Sequence, residues 1–323
     1  MHGIIMQTTF ILLILSHNKM VCSTGKHATS VEVALLVAST SVFCMFQIRV
    51  LTPKDYTFAV ELANTMNWNM APEDFYYMAK LEPNGSFLVV DEDKPVGVAT
   101  CIGYGRVGWF GNLIVDPAYR NRGAGGMLVR HAVDYLHAMG AETVGLYAYP
   151  HLKEFYSRLG FTSDVDFALL HAEGVLPVEG AGAHRIEDAH LKKIAAFDSQ
   201  FFGGDRSRLI DSIVLETGNA GYYVSDRGHV VGYIAAPIYQ SMAWIGPLVC
   251  VPSRFDVAGK LVSSVLTKLA GKSVYAVVPK GDTVLLDLLS SIGFKEEFMV
   301  TRMYSGVSLA KNCIYLAESL ERG

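Results

Sequence analysis

The hydrophobic and polar positions of residues 46–172 switch between helical and strand periodicity. The sequence TPKD at 52–55 is a capping-box variant that predicts a helix through YTFAVELANTM, and EDFYYMAKL after Pro72 predicts a second helix. Three strand-like runs follow, SFLVVDED, KPVGVATCIGYG and RVGWFGNLIVD. The turns between them, at 91–94 and 103–106, suit antiparallel hairpins.

Helical periodicity returns after a glycine-rich turn. Gly140 ends this helix, in which apolar residues recur every three to four positions at Leu128, Ala132, Leu136 and Met139. A strand TVGLYAY, a short helix LKEFYSRLG and a last strand complete the unit. The predicted order is helix, helix, three strands, helix, strand, helix, strand.

The same pattern occurs twice in the chain. Residues 86–117 align without a gap on residues 221–252, with about nine of 32 positions identical. The alignment resumes where FYSRLGF at 155–161 matches LLSSIGF at 288–294. An internal repeat of this length indicates two copies of one structural unit.

The copies are separated by residues 173–183, a stretch rich in Gly, Ala and Pro that predicts a linker. We therefore expect two like domains, a first copy at 46–172 and a second copy at 184–323. Residues 1–45 contain two apolar runs, FILLIL and VALLVASTSVFCMF, and both are shorter than a membrane-spanning helix. No Lys or Arg precedes the first run, as a signal peptide would require, so we interpret 1–45 as an extension outside the fold.

The amino-acid composition of the chain limits the classes of binding partner that we expect. A formal net charge of −4 argues against the broad basic surface that binds nucleic acid, and no membrane partner is expected. The five cysteines are scattered and have no spacing suited to a metal, so no metal site is predicted. We interpret them as reduced thiols in a cytoplasm.

The glycine-rich turn is the strongest chemical signal. A turn that leads directly into a helix presents unpaired backbone N–H groups where the helix dipole favours an anion. Glycines let the backbone approach a phosphate, and arginine side chains add positive charge. A phosphate or pyrophosphate is the predicted ligand, although the glycines could alternatively serve only a tight connection. The residues concerned are Arg120, Asn121, Arg122, Gly123, Ala124, Gly125 and Gly126.

Two other phosphate-binding motifs are incomplete in this sequence. A G-x-G-x-x-G pattern would need glycine where Leu128 stands. The sequence Gly271-Lys272-Ser273 lacks the first glycine of a P-loop because Leu266 occupies that position.

What remains is R-x-x-G-x-G, running from Arg120 to Gly125 after a strand that ends in VDP. This motif resembles the acetyl-CoA signature of the GNAT family of N-acetyltransferases, and FYSRLGF resembles that family's F-Y-x-x-x-G-F segment. The second copy resembles the C-terminal domain of tandem GNAT-like proteins, through FGGDRSRLI and TRMYSG. The resemblance implies two α/β (α+β) GNAT folds, each a mixed, mostly antiparallel sheet flanked by helices.

The resemblance also implies roles in an acetyl-CoA-dependent N-acetyltransferase. The backbone of Leu113, Ile114 and Val115 would hydrogen-bond the pantetheine arm as an added strand would, and residues 120–126 would hold the pyrophosphate. A primary amine would attack the thioester directly, while a backbone N–H of the strand stabilises the oxyanion.

Tyr156 matches the family position whose phenol protonates the departing thiolate, and its chemistry suits that role. Packing in the core is the alternative for this side chain. The general base is open: Asp116 is the only acid in WFGNLIVD, but an Asp before a Pro more often forms a turn, and an ordered water could serve.

The second copy lacks the functional residues of the first. The constant offset puts Phe255, Val257, Ala258 and Lys260 at the turn positions and Pro247 at Asn112, and the match of FYSRLGF with LLSSIGF puts Leu289 at Tyr156. We expect the second copy to bind no acyl-CoA and to wall the acceptor pocket or to fix the orientation of the first domain.

The acceptor is expected to be a small-molecule or peptide amine. It would lie against residues 55–82, where the candidates are Trp68, Glu73, Asp74, Tyr76 and Tyr77. A non-catalytic acetyl-CoA sensor or scaffold is the alternative function.

Overall fold

The computed structural model describes residues 46–177 and 182–323. The predicted extension at 1–45 lies outside the described residues, as do positions 178–181 of the predicted linker. The first copy contains β1 (Phe46–Val50), α1 (Tyr56–Asn64), α2 (Pro72–Leu81), β2 (Ser86–Asp91), β3 (Lys94–Tyr104), β4 (Val107–Val115), α3 (Ala124–Ala138), β5 (Thr143–Ala148), α4 (Lys153–Ser157) and β6 (Thr162–Ala172).

The predicted order of elements in the first copy was wrong at its start, because a strand precedes the two helices. This strand, β1, pairs antiparallel with β2 at the edge of the sheet. The capping box is present: the Asp55 carboxylate accepts the backbone N–H of Thr52 at 2.9 Å and its hydroxyl at 2.8 Å. Both predicted hairpins are confirmed, since β2, β3 and β4 pair antiparallel in sequence.

The second copy repeats this succession. Its elements are β7 (His184–Arg185), α5 (Leu191–Phe202), α6 (Ser207–Val214), β8 (Ala220–Asp226), β9 (His229–Ala236), β10 (Met242–Ile245), β11 (Leu248–Cys250), α7 (Phe255–Lys268), β12 (Ser273–Pro279), α8 (Thr283–Ser291), β13 (Lys295–Ser305) and β14 (Ile314–Leu316). The counterpart of β4 is divided at Gly246-Pro247 into β10 and β11. The added strand β14 has no counterpart among the described residues of the first copy.

The two copies exchange their last strands. A nine-stranded sheet has the order β1-β2-β3-β4-β5-β13-β6-β12-β10, so β13 of the second copy lies between β5 and β6 of the first. In return, β6 pairs with β12 of the second copy. A five-stranded sheet has the order β14-β11-β9-β8-β7. The two copies therefore share one sheet and form one compact unit, 46–323.

Strand pairing within these sheets is antiparallel except between β4 and β5 and between β10 and β12. Together with the helices that pack on them, the sheets confirm the predicted mixed, mostly antiparallel fold class. The apolar face of α3 buries Leu128, Ala132 and Leu136 against the first copy's sheet, and each fully buried leucine contributes roughly 1.5–3 kcal/mol. Met139 is 45% exposed, because it lies at the C-cap rather than within the helix.

No helix in the described part of the chain is long and apolar enough to cross a membrane.

Candidate active site

The strands β4 and β5 separate part of the way along their length. Their parallel pairing is confined to residues 107–109 of β4 and 143–145 of β5. Beyond Trp109, β4 continues to Val115 and pairs with β3 only, as far as the described residues show. The backbone of Leu113, Ile114 and Val115 therefore has no strand partner on the side that faces β5. An extended ligand can add to a strand edge of this kind through main-chain hydrogen bonds.

A β-bulge lies at the start of the free edge, the side of Leu113–Val115 that has no strand partner among the described residues. Thr100 in β3 lies opposite Gly111 and Val98 opposite Ile114, so two residues of β4 face one residue of β3. Asn112 in the bulge has a φ of 49° and donates its side-chain amide to the Thr100 hydroxyl at 3.1 Å. Bulges bend a strand and change the direction of its backbone groups.

The glycine turn connects the end of β4 to the N-terminus of α3. The first intrahelical hydrogen bond of α3 runs from the Met127 N–H to the Gly123 carbonyl. The N–H groups of residues 124–126 precede that bond, and no side chain caps this helix end. These N–H groups have no partner within the helix and lie at the positive end of its dipole. An anion at this helix end would accept hydrogen bonds from them.

Different structural requirements apply to Gly123 and Gly125 of the turn. Gly123 has a φ of 92°, a left-handed conformation that favours glycine in any tight connection. Gly125 is not in that region, and a Cβ there would make only ordinary contacts, 3.6 Å from Phe155 and 3.7 Å from Val115. The connection alone therefore accounts for Gly123 but not for Gly125, whose missing side chain leaves the helix end accessible.

Charged and polar side chains hold the turn in shape. Asp116 accepts the Ala118 N–H at 2.8 Å, which confirms it as a turn former. The Arg120 Nε donates to the Val115 carbonyl oxygen at 2.9 Å, so this arginine bridges the turn back to the strand. The Arg122 guanidinium and the Lys94 ammonium lie 5.4 Å and 5.2 Å from the centroid of the Tyr119 ring. Lys94, which no sequence motif marks, adds a third cation close to the turn.

Tyr156 lies in α4, next to the point where β4 and β5 separate. Its ring packs edge-on to Phe110 of β4 and to Phe161, and the residue is 5% exposed. Burial raises the pKa of the Tyr156 phenol further above its usual value of about 10, at which the hydroxyl is already protonated at neutral pH. The neighbouring Phe155 is the residue that lies against Gly125, which places α4 beside the turn.

The corresponding region of the second copy is closed to a ligand. The β11 strand, equivalent to the free edge of β4, pairs antiparallel with β14 through residues 314–316. Leu289 takes the place of Tyr156 in the same local structure: Phe161 donates to the Tyr156 carbonyl and Phe294 to the Leu289 carbonyl, both at 3.1 Å. The second copy's counterpart of the Tyr156 phenol is therefore an aliphatic side chain.

The helix that follows this strand in the second copy is already supplied with a negative charge. Asp256 lies in the first turn of α7, where its carboxylate interacts favourably with the positive end of the helix dipole. The Arg254 guanidinium donates to its carboxylate at 2.8 and 2.9 Å and lowers the pKa of Asp256 to about 2.

The predicted acceptor residues do not all face the separated strands. Trp68, in the loop between α1 and α2, hydrogen-bonds Tyr149, which follows β5. Asp74 caps α2 by accepting the Ala71 N–H at 2.8 Å, and Tyr77 hydrogen-bonds Ser212 of the second copy at 2.6 Å. Of the remaining two candidates, Tyr76 is 66% exposed and Glu73 is exposed.

Two features of this region were missed from the sequence. Residues 318–323, which follow β14, pack against β4 of the first copy and bring Glu321 to Gly111. Tyr149, the partner of Trp68, was also missed. No local motif marks either residue, because each acts through a contact between segments that are far apart in the sequence.

Comparison with known proteins agrees with this arrangement. The acetyltransferase (GNAT) family matches residues 54–161, and an acetyltransferase (GNAT) domain matches residues 194–315. The holothin acyltransferase of Pseudoalteromonas sp. is 24% identical over 268 residues, which cover 81% of this chain and 90% of that protein.

Solved structures share the fold. A proposed acetyltransferase from Pyrococcus horikoshii superposes with a TM-score of 0.72 at 21% identity, covering 86% of this chain and 96% of that one. A tandem GNAT protein from the clavulanic acid biosynthesis pathway superposes with a TM-score of 0.56 at 14% identity. The match covers 83% of this chain and 99% of that one.

The separated strands, the uncapped helix end and the repeated fold define an acyltransferase with two like halves. The two family matches together span more than two thirds of the chain, which belongs to the GNAT acetyltransferase family and is a transferase.

Proposed function

We propose that the chain transfers an acetyl group from acetyl-CoA to a primary amine, using the first copy only. The observation that carries this proposal is the free edge of Leu113–Val115 beside the uncapped N-terminus of α3. One surface thus offers strand hydrogen bonds to an extended amide chain and unpaired N–H groups to a phosphate. Acetyl-CoA contains both groups in one molecule.

The residues of this surface fit the cosubstrate. The backbone of Leu113–Val115 would pair with the pantetheine amides, and the N–H groups of residues 124–126 would hold the pyrophosphate, with Arg122 nearby. When bound, acetyl-CoA supplies the activated thioester. The N–H groups around the bulge at Asn112 lie beside the free edge, where one of them could stabilise the oxyanion.

Tyr156 is proposed as the general acid. Its phenol is protonated at neutral pH and lies beside β4, where the leaving sulfur would be if pantetheine follows the strand. The tyrosine would donate its proton as the bond between carbon and sulfur breaks, and would regain one from solvent.

The acceptor is proposed to enter on the side of Trp68 and Tyr149, which hydrogen-bond each other. A primary amine of a small molecule or peptide suits this entrance. The scattered cysteines remain the support for a cytoplasmic location; Cys101, Cys250 and Cys313 are free thiols in the structure.

Release of free thiol tests the proposal. The full chain is incubated with acetyl-CoA and a panel of primary amines, and thiol is measured against time. We expect thiol release that depends on one class of amine. Binding of acetyl-CoA without amine-dependent thiol release would instead support a sensor or scaffold.

A further inference from the structure

The 318–323 segment inserts between the two copies beside the proposed site. The Tyr104 hydroxyl donates to the Arg322 carbonyl oxygen at 2.9 Å, and the buried Arg206 guanidinium donates to the Gly323 carbonyl oxygen at 2.7 Å. Glu318, Ser319 and Arg322 are themselves buried. These contacts fix the segment on both sides of Glu321.

Two equivalent glycines receive this part of the chain. A Cβ on Gly111 of β4 would lie 2.7 Å from both Cα and Cβ of Glu321. A Cβ on Gly246, the aligned residue of the second copy, would collide with Ala317. The chain therefore passes from one glycine to the other, and Glu321 occupies the space that a side chain at position 111 would take.

This position adjoins the reacting centre of the proposed reaction. Gly111 immediately precedes the bulge residue Asn112 and is two residues before the free edge of Leu113–Val115. An acetyl group at the end of a pantetheine arm on that edge would lie close to the bulge. Glu321 is thus next to the place where an incoming amine nitrogen must stand.

The environment of Glu321 keeps its carboxylate in place without enclosing it. The Arg322 Nη1 lies 2.6 Å from Glu321 Oε1, and Arg322 is held in turn by Glu318 at 2.8 and 3.0 Å. The Glu321 side chain remains 24% exposed, enough to meet a substrate. Burial, followed by the nearby charge of Glu318, raises the pKa of Glu321 against the lowering effect of Arg322.

We propose that Glu321 is the general base that removes a proton from the ammonium group of the acceptor. This assignment rests on the proposed function. It also gives the second copy a direct part in the reaction, because the chain that follows β14 supplies the residue.

The proton balance of the step is complete. Glu321 takes one proton from the ammonium and passes it to solvent, which leaves a neutral amine. The nitrogen then forms a bond to the acetyl carbon, and the bond from that carbon to sulfur breaks. A second proton passes from the nitrogen to solvent, while the sulfur receives one from Tyr156, which regains a proton from solvent. The products are an amide, a free thiol and one released proton.

The test compares Glu321→Gln and Glu321→Asp with the wild type in the full chain. Turnover of acetyl-CoA with the best amine is measured from neutral to alkaline pH, and stabilisation by acetyl-CoA is measured alongside. Glu216→Gln, an exposed carboxylate in the loop after α6, is the matched control. The titratable groups that face Glu321 are Glu318, Arg322, Asp74, Tyr77, Tyr149 and Tyr239, and all are unchanged in these variants.

We expect Glu321→Gln to lower turnover at neutral pH by roughly 10²-fold or more, the usual contribution of a positioned base. The difference in turnover between Glu321→Gln and the wild type should become smaller at alkaline pH, because the amine there loses its proton to solvent. Glu321→Asp should keep part of the activity, and every variant should keep its stabilisation by acetyl-CoA.

Three results would overturn the assignment: wild-type turnover by Glu321→Gln, a loss of equal size at every pH, or a loss of stabilisation by acetyl-CoA. A wild-type chain that releases no thiol with any amine overturns the proposed function and this assignment together. That outcome is distinct, because it is seen before any variant is made.

Discussion

The backbone of Leu316 in β14 pairs with that of Leu248 in β11, the residue that corresponds to Leu113 in β4. The same strand edge is therefore free in the first copy and filled by the chain itself in the second. Calorimetric titration of acetyl-CoA should give one site per chain. Two sites of comparable affinity would show that β14 leaves the edge and that the second copy binds ligand.

Gly125→Glu tests the helix end without straining the turn. The backbone at Gly125 suits any residue, and a glutamate near a helix N-terminus stabilises the helix while repelling a pyrophosphate. The variant should keep the unfolding temperature of the free protein. It should lose the stabilisation by acetyl-CoA, which is about 2.7 kcal/mol at 100 times the Kd.

Gly259→Glu provides the matched control for this change. Gly259 lies near the start of α7 in the second copy, with no atom within 4 Å of a Cβ built there. Its variant should bind acetyl-CoA as the wild type does. Equal stabilisation of both variants by acetyl-CoA would remove the α3 terminus from the binding site.

Tyr156→Phe tests the proposed acid. The ring should keep its packing on Phe110 and Phe161, so acetyl-CoA binding should be nearly unchanged while turnover falls by roughly 10² to 10⁴. Tyr222→Phe, on β8, should leave turnover unaltered. Steady-state kinetics with full activity in Tyr156→Phe would show that solvent protonates the sulfur.

Arg206→Met tests the buried charges that anchor the 318–323 segment. Arg206 is completely buried and donates two hydrogen bonds to Asp198, at 2.7 and 3.1 Å, and one to the Gly323 carbonyl oxygen. Removing it leaves Asp198 as an uncompensated buried charge, a change that costs about 3–5 kcal/mol.

Urea unfolding measures the effect of Arg206→Met. The exposed Arg185 provides the control, because Arg185→Met should change the free energy of unfolding by less than about 0.5 kcal/mol. Similar free energies of unfolding for the two variants would mean that the buried pair does not support the fold.

Asp55 should make the stability depend on pH. The Arg49 guanidinium donates to this carboxylate at 2.7 and 2.8 Å and, together with Thr52, holds the pKa of Asp55 well below its usual value. Because the folded pKa is the lower one, the stabilisation is complete above the unfolded pKa of about 4 and is lost as the pH falls through the folded value.

Asp55→Asn should therefore destabilise the chain by about 1–2 kcal/mol at neutral pH, through loss of the cap and the ion pair. The difference from the wild type should shrink below about pH 4. Urea unfolding across pH checks this, with the exposed Asp287→Asn as control. A difference that stays constant down to pH 2 would contradict the linkage.

Local signals in the sequence predicted the elements well. The turns at 91–94 and 103–106, the capping box at Thr52 and the stop at Gly140 each act within a few residues, and each is present in the structure. The strand β1 was missed because it has only five residues, most of which are exposed at a sheet edge.

Long-range pairing could not be predicted. The patterns of β6 and β13 fit either copy equally, so nothing local reveals that the two strands exchange. Residues 314–316 form a run too short to identify as a strand, and Glu321 comes to Gly111 only because β14 pairs with β11. The phosphate-binding candidates were predictable from one turn, whereas the proposed base depends on contact across more than 200 positions.

The most direct test of the account follows a labelled acetyl group from acetyl-CoA to the nitrogen of the amine that supports thiol release. For the wild-type chain we predict an N-acetylated product in an amount equal to the free thiol, and for Gly125→Glu almost none of either. Label that is found only in free acetate, or thiol release that Gly125→Glu does not reduce, would contradict acetyl transfer at the first copy.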